Sequence, residues 1–176
     1  MKMKKLRLLL SEVNDRDFLT CWHQNLDLSK LPICSDYKKY DMITFVGGEP
    51  MQCVNVMKYA IEIIRLSNPN AKLIMYTSYN RSPIEIFHML DLLDGVAITI
   101  HNQSDVEPFL KLVELLETTG RMSKGYSKIL KVDVCKGVNL KSVPDGWIAK
   151  SNVDSYSVSG DEDLMRFCDE QDLYLI

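Results

Sequence analysis

The stretch Asp41-Met42-Ile43-Thr44-Phe45-Val46-Gly47-Gly48-Glu49-Pro50 concentrates more chemical potential than any other part of the chain. An apolar run delivers two glycines, a carboxylate and a proline in immediate succession. Paired glycines let the backbone turn sharply and leave no Cβ between its polar groups and a ligand. Pro50 suits the first position of a helix, whose positive end would point back at the same place. Such a loop has the means to cradle a small polar ligand through Gly47, Gly48, Glu49 and Pro50. A second reading stays open beside it, a tight strand-to-helix turn in which Glu49 only complements the helix dipole.

Other candidates follow from where ligands sit in parallel α/β proteins, outside the carboxyl ends of the strands. Beyond the apolar runs stand Ser78, His101, Asn102 and Lys150. His101 has the chemistry of a base or a ligand contact, and equally of a satisfied group closing a strand. Lys131 and Asp133 alternate with Leu130, Val132 and Val134, so a polar pair shares one strand face and has to be paired or functional if that face is enclosed. His88, in Phe87-His88-Met89, reads as helix surface or packing. The five cysteines, Cys21, Cys34, Cys53, Cys135 and Cys168, are odd in number and widely scattered. They read as free thiols in a reducing compartment, mostly filling core. Cys21, Cys34 and Cys53 with His23 are the soft ligands near the second apolar run, but their spacing fits neither a zinc nor an iron-sulfur pattern.

Short apolar runs alternate with amphipathic segments, the pattern of βα units around a parallel sheet. Strands are expected at Leu6–Leu10, Met42–Val46, Leu73–Thr77, Val96–Ile100, Ile129–Val134 and Trp147–Ala149. Val54, Met57, Ile61 and Ile64 recur at helical spacing after Pro50. Ser82-Pro83-Ile84-Glu85 reads as a capping box opening a helix to about Leu93, and Ser104-Asp105-Val106-Glu107 as another before Phe109, Leu112, Val113 and Leu116. Ser159-Gly160-Asp161-Glu162 is a third such signal, before a short C-terminal helix. Cys21 to Tyr40 has no clean period and reads as a long loop with one helical turn. Phe45, Ile64, Met75, Ile98, Leu112 and Val132 are the expected core.

With 176 residues and 46% hydrophobic content, the chain suits one domain with a full core. Its 21 basic and 24 acidic side chains leave no charge excess for nucleic acid or an anionic membrane. The leucines of Met1–Leu10 are interrupted by Arg7 and form too short a run for a signal peptide, and no other run reaches spanning length, so a cytoplasmic location is expected.

Strand-Gly47-Gly48-Glu49-Pro50-helix resembles the GGEP motif of the radical S-adenosylmethionine (radical SAM) superfamily, which also follows the second strand. Leu6-Arg7-Leu8-Leu9-Leu10-Ser11-Glu12 is similar to that family's first strand, and the similarity runs from Leu6 to about Val134. The resemblance implies an α/β fold, an incomplete (β/α)6 TIM-like barrel with a parallel sheet and few additions. It also implies S-adenosylmethionine contacts at Gly47, Gly48, Glu49 and Pro50, to which the strand-end positions Ser78 and His101 are added as candidate contacts. The family's Cys-x3-Cys-x2-Cys loop falls on Asn14, Phe18 and Cys21, of which Cys21 alone is a cysteine. An iron-sulfur cluster is therefore not expected. The implied protein is a pseudoenzyme that binds a small molecule or a protein partner. Two alternatives remain: a radical enzyme or activating enzyme with atypical cluster ligation, and a plain α/β binding module.

Overall fold

The computed structural model describes residues 2–10, 30–47, 49–78, 82–122, 126–153 and 162–167. The chain is α/β. Among the described residues, seven strands form one parallel sheet in the order β6-β5-β4-β3-β2-β1-β7. The strands are β1 (Lys5–Leu9), β2 (Met42–Val46), β3 (Lys72–Thr77), β4 (Gly95–Ile100), β5 (Ile129–Cys135), β6 (Ile148–Val153) and β7 (Glu162–Arg166). Among the described residues three α-helices accompany them: α1 (Val54–Ser67), α2 (Pro83–Met89) and α3 (Val106–Thr118). The chain divides into two compact units, Met1–Met75 with Ser155–Ile176, and Tyr76–Asp154.

In the first unit β1 pairs in parallel with both β2 and β7, and β2 with β3. Leu6, Leu8, Ile43 and Phe45 are fully buried, as the apolar runs of β1 and β2 require. Helix α1 buries Met57, Ala60, Ile61 and Ile64, one stripe at three- and four-residue spacing. Its exit is tied down by side chains. Arg65 donates to the carbonyls of Pro69 and Ala71, and Asn68 Nδ2 to those of Tyr37 and Tyr40 at 2.9 and 2.8 Å. Pro50 does not start the α-helix. It opens a 3-10 turn, Pro50–Gln52, and the helix begins at Val54.

The C-terminal helix expected after Ser159-Gly160-Asp161-Glu162 is absent from Glu162–Arg166, which is strand β7. Tertiary pairing overrides local preference here. The Lys5–Leu9 edge takes Glu162–Arg166 residue for residue, and the two acids find partners at once. The Glu162 carboxylate accepts from Arg7 Nε and lies 3.6 Å from Lys5 Nζ, while Asp163 accepts from the Tyr40 hydroxyl at 2.7 Å. Burial, then Asp163, raises the Tyr40 pKa. The described part of the expected loop, 30–40, runs beside β7. Ile33 bridges Arg166 in parallel and Cys34 N donates to the Arg166 carbonyl at 2.9 Å.

In the second unit β5 pairs in parallel with β4 and β6. All six residues of β4 are buried, as expected of a strand covered on both faces. Helix α3 buries Phe109, Leu112, Val113 and Leu116, the four residues read from its periodicity. Phe109 meets Trp147 edge to face at 4.8 Å. The helix after Ser82 ends at Met89 rather than near Leu93, and Ser82 makes no side-chain capping bond. No helix links β5 to β6; residues 136–147 are turns, bends and irregular chain. β6 ends the sheet with Lys150 and Ser151 exposed, which suits an edge strand. Phe45, Ile64, Met75, Ile98, Leu112 and Val132 are all fully buried. Among the described residues no helix is long and apolar enough to cross a membrane.

Candidate functional site

In the first unit, Gly47 leaves β2 with φ +71°, a conformation that disfavours side chains. A Cβ built on Gly47 would lie 1.5 Å from Leu9 Cδ1 and 2.8 Å from Leu9 Cγ. The space made by this glycine is filled by the chain's own β1 side chain. Gly48, the second glycine of the motif, lies outside the described residues, as do Cys21 and His23. Glu49 is 2% exposed and caps the 3-10 turn, its Oε1 accepting from Met51 N at 3.2 Å. The Cys53 thiol donates to the Glu49 carbonyl at 3.6 Å, and Pro50 and Met51 are buried. Glu49 thus stands just past the carboxyl end of a parallel strand, enclosed and fixed by its own turn.

The other sequence candidates belong to the second unit. Ser78 is half-buried just beyond β3, and His101 half-buried just beyond β4. The capping box expected at Ser104-Asp105-Val106-Glu107 forms two residues earlier. Asn102 and Asp105 cap reciprocally, and the Asp105 carboxylate accepts from His101 N at 3.1 Å and Asn102 N at 2.9 Å. The shift has a simple cause. β4 ends at Ile100, the chain turns at once, and Asp105 reaches back to two amide donors that the strand no longer serves. Burial lowers the His101 pKa, opposed by the smaller pull of Asp105.

The polar pair read on β5 separates. Lys131 is exposed, while Asp133 is 8% exposed and accepts from the Tyr76 hydroxyl at 2.5 Å. Lys150 lies within β6, in register with Asp133, instead of beyond a strand end. His88 is exposed and stacks edge to face on Phe87. Of the cysteines, Cys34 is buried, and burial raises its pKa. Cys135 is the one whose placement spacing did not reveal. It closes β5 with its Sγ 3.5 Å from His101 Nδ1. β4 and β5 pair in parallel with Ile100 opposite Val134, which sets the next residues, His101 and Cys135, side by side, and no motif encodes that register.

Among the described residues no group of three or more His, Cys, Asp or Glu side chains is arranged to hold a metal ion. The chain is thus a parallel α/β protein with an enclosed carboxylate just past β2 and a half-buried histidine just past β4, and no family model, curated protein or solved structure matches it.

Proposed function

We propose that this chain is a cluster-less relative of the radical SAM enzymes, built as an incomplete (β/α)6 TIM-like barrel, that binds S-adenosylmethionine or a similar small molecule. The sequential order of β1 to β6 in a parallel sheet supports the architecture, with β7 an addition beside β1. One observation carries the binding site: Glu49, a carboxylate 2% exposed, stands immediately past the carboxyl end of β2. An enclosed acid there suits the ammonium of an amino-acid moiety. Because Leu9 fills the open side of Gly47, contact to such a ligand falls to the Glu49 carboxylate and the backbone around it. Ser78 and His101, the further candidates at strand ends, belong to the other unit and require their own variants.

The chemistry expected of this chain is binding. In the family the cluster passes an electron to the sulfonium, and cluster irons are held almost always by several cysteine thiolates. Cys21 alone occupies a cluster position. Isothermal titration with S-adenosylmethionine should give an affinity of micromolar or weaker, about 8 kcal/mol at most. Glu49→Gln, nearly isosteric, should abolish the heat while leaving the circular dichroism spectrum unchanged. Equal binding by both proteins, or none by the wild type, would leave the loop as a turn in a plain α/β module. Anaerobic reconstitution should yield no stoichiometric four-iron cluster; a cluster lost on Cys21→Ala would favour an active radical enzyme instead.

A further inference from the structure

We propose a second site, independent of the glycine loop: Cys135 is a nucleophilic thiol that accepts an acyl group from an activated ester or thioester, with His101 as its base. The two residues stand side by side because β4 and β5 are neighbours in parallel register, with Ile100 opposite Val134. His101 is the residue after β4 and Cys135 the last of β5. Their reactive atoms, Nδ1 and Sγ, are 3.5 Å apart, within reach for proton transfer from thiol to imidazole. Both residues are half-buried rather than sealed in the core.

The backbone around this pair is held on both sides. Asp105 fixes the amides of His101 and Asn102. Val138 N donates to the Cys135 carbonyl at 3.2 Å, turning the chain directly after the thiol. Gln103 and Asn139 exchange two hydrogen bonds, Nε2 to the Asn139 carbonyl at 3.2 Å and Asn139 N to Oε1 at 2.9 Å. These tie the segment after β4 to the segment after β5. The β5–β6 ladder also breaks at the thiol: Val134 pairs Ser151, Cys135 pairs Val153, and Asn152 bulges with φ 59°. Bulges and left-handed non-glycine residues concentrate where a strand end is shaped for function.

Protonation suits the role. Burial favours the neutral imidazole, and Asp105 is the charged group acting against it. A neutral ring with its hydrogen on Nε2 leaves Nδ1 free of hydrogen and facing the thiol. In the step, the S–H proton passes to Nδ1 and the sulfur attacks the carbonyl carbon. The bond from that carbon to the leaving oxygen or sulfur breaks, the imidazolium returns the proton to the leaving group, and a thioester remains on Cys135. No electrons are gained or lost.

The test uses p-nitrophenyl acetate with the full chain, without S-adenosylmethionine, so that its outcome is separate from that of the glycine loop. A burst of nitrophenolate should accompany one acetyl group per chain, placed on Cys135 by peptide mass spectrometry and lost in Cys135→Ser. His101→Gln, folded by circular dichroism, should slow acetylation about 100-fold. The wild-type rate should level off on the pH scale once the His101 imidazole is neutral, and the variant should show no such plateau there. Acetylation spread evenly over the five cysteines would overturn the proposal. So would equal rates and pH profiles for the wild type and His101→Gln.

Discussion

Gly47→Ala separates the packing role of the glycine loop from any ligand it holds. The residue adopts φ +71°, where an L side chain costs about 1–2 kcal/mol. The new methyl would also fall 1.5 Å from Leu9 Cδ1 and 2.8 Å from Cγ, so more than the tip of Leu9 has to move. Leu9 is 2% exposed, and shifting a packed side chain costs about 1–3 kcal/mol more. The total, about 2–5 kcal/mol, is a large part of the ~5–15 kcal/mol that stabilises a typical domain. Gly120→Ala supplies the comparison. Gly120 has φ +73° but nothing within 4 Å of its built Cβ, so it should pay the backbone cost alone, about 1–2 kcal/mol. Urea unfolding followed by far-ultraviolet circular dichroism gives both values. In Leu9→Ala/Gly47→Ala the methyl enters the space vacated by Leu9, and the two losses should sum to less than their separate values. If Gly47→Ala cost no more than Gly120→Ala, or if the double variant were strictly additive, the steric argument would fail.

Two further outcomes are expected. Arg121→Ala should destabilise by about 1–3 kcal/mol and Arg121→Lys by less, because Arg121 stacks on Phe87 at 3.9 Å, donates to the Phe87 carbonyl at 3.1 Å and pairs with Asp91 at 2.7 Å. Losses within 0.3 kcal/mol of zero in urea titrations would show that the exposed Asp91 and solvent already screen these contacts. His101 is held below its usual pKa of 6.5, so the unfolded chain binds the proton more readily than the folded one. Its contribution to stability is full above about pH 6.5 and is lost as pH falls toward its folded value. Thermal melts across that window should show a slope that His101→Gln removes, and an unchanged slope would place His101 in a solvated setting.

Much of the framework is legible in the residues themselves. Buried parallel strands need continuous apolar runs, so β2 and β4 stand out in Met42–Val46 and in the Val96–Ile100 core of Gly95–Ile100. The stripe of α3, Phe109, Leu112, Val113 and Leu116, follows from helical spacing alone, because one helix face must find the core. Glu49 could be placed past β2 for the same reason: a strand, two glycines and a proline leave it no other position.

What only the tertiary structure decided involves partners distant in sequence. Glu162–Arg166 is charged and lacks strand alternation, yet β1 offers an unpaired edge, with Arg7 and Lys5 to meet Glu162 across 155 residues or more. Asp133 and Tyr76 meet over 57 residues, and the hydroxyl that reaches the enclosed carboxylate helps to offset its burial. Leu9 occupying the space beside Gly47, and Cys135 facing His101, depend likewise on which strands lie side by side. Local periodicity determines which residues point inward, since a strand or helix repeats on its own geometry. Register between strands determines which of them touch, and that emerges only when the whole sheet has closed its hydrogen bonds.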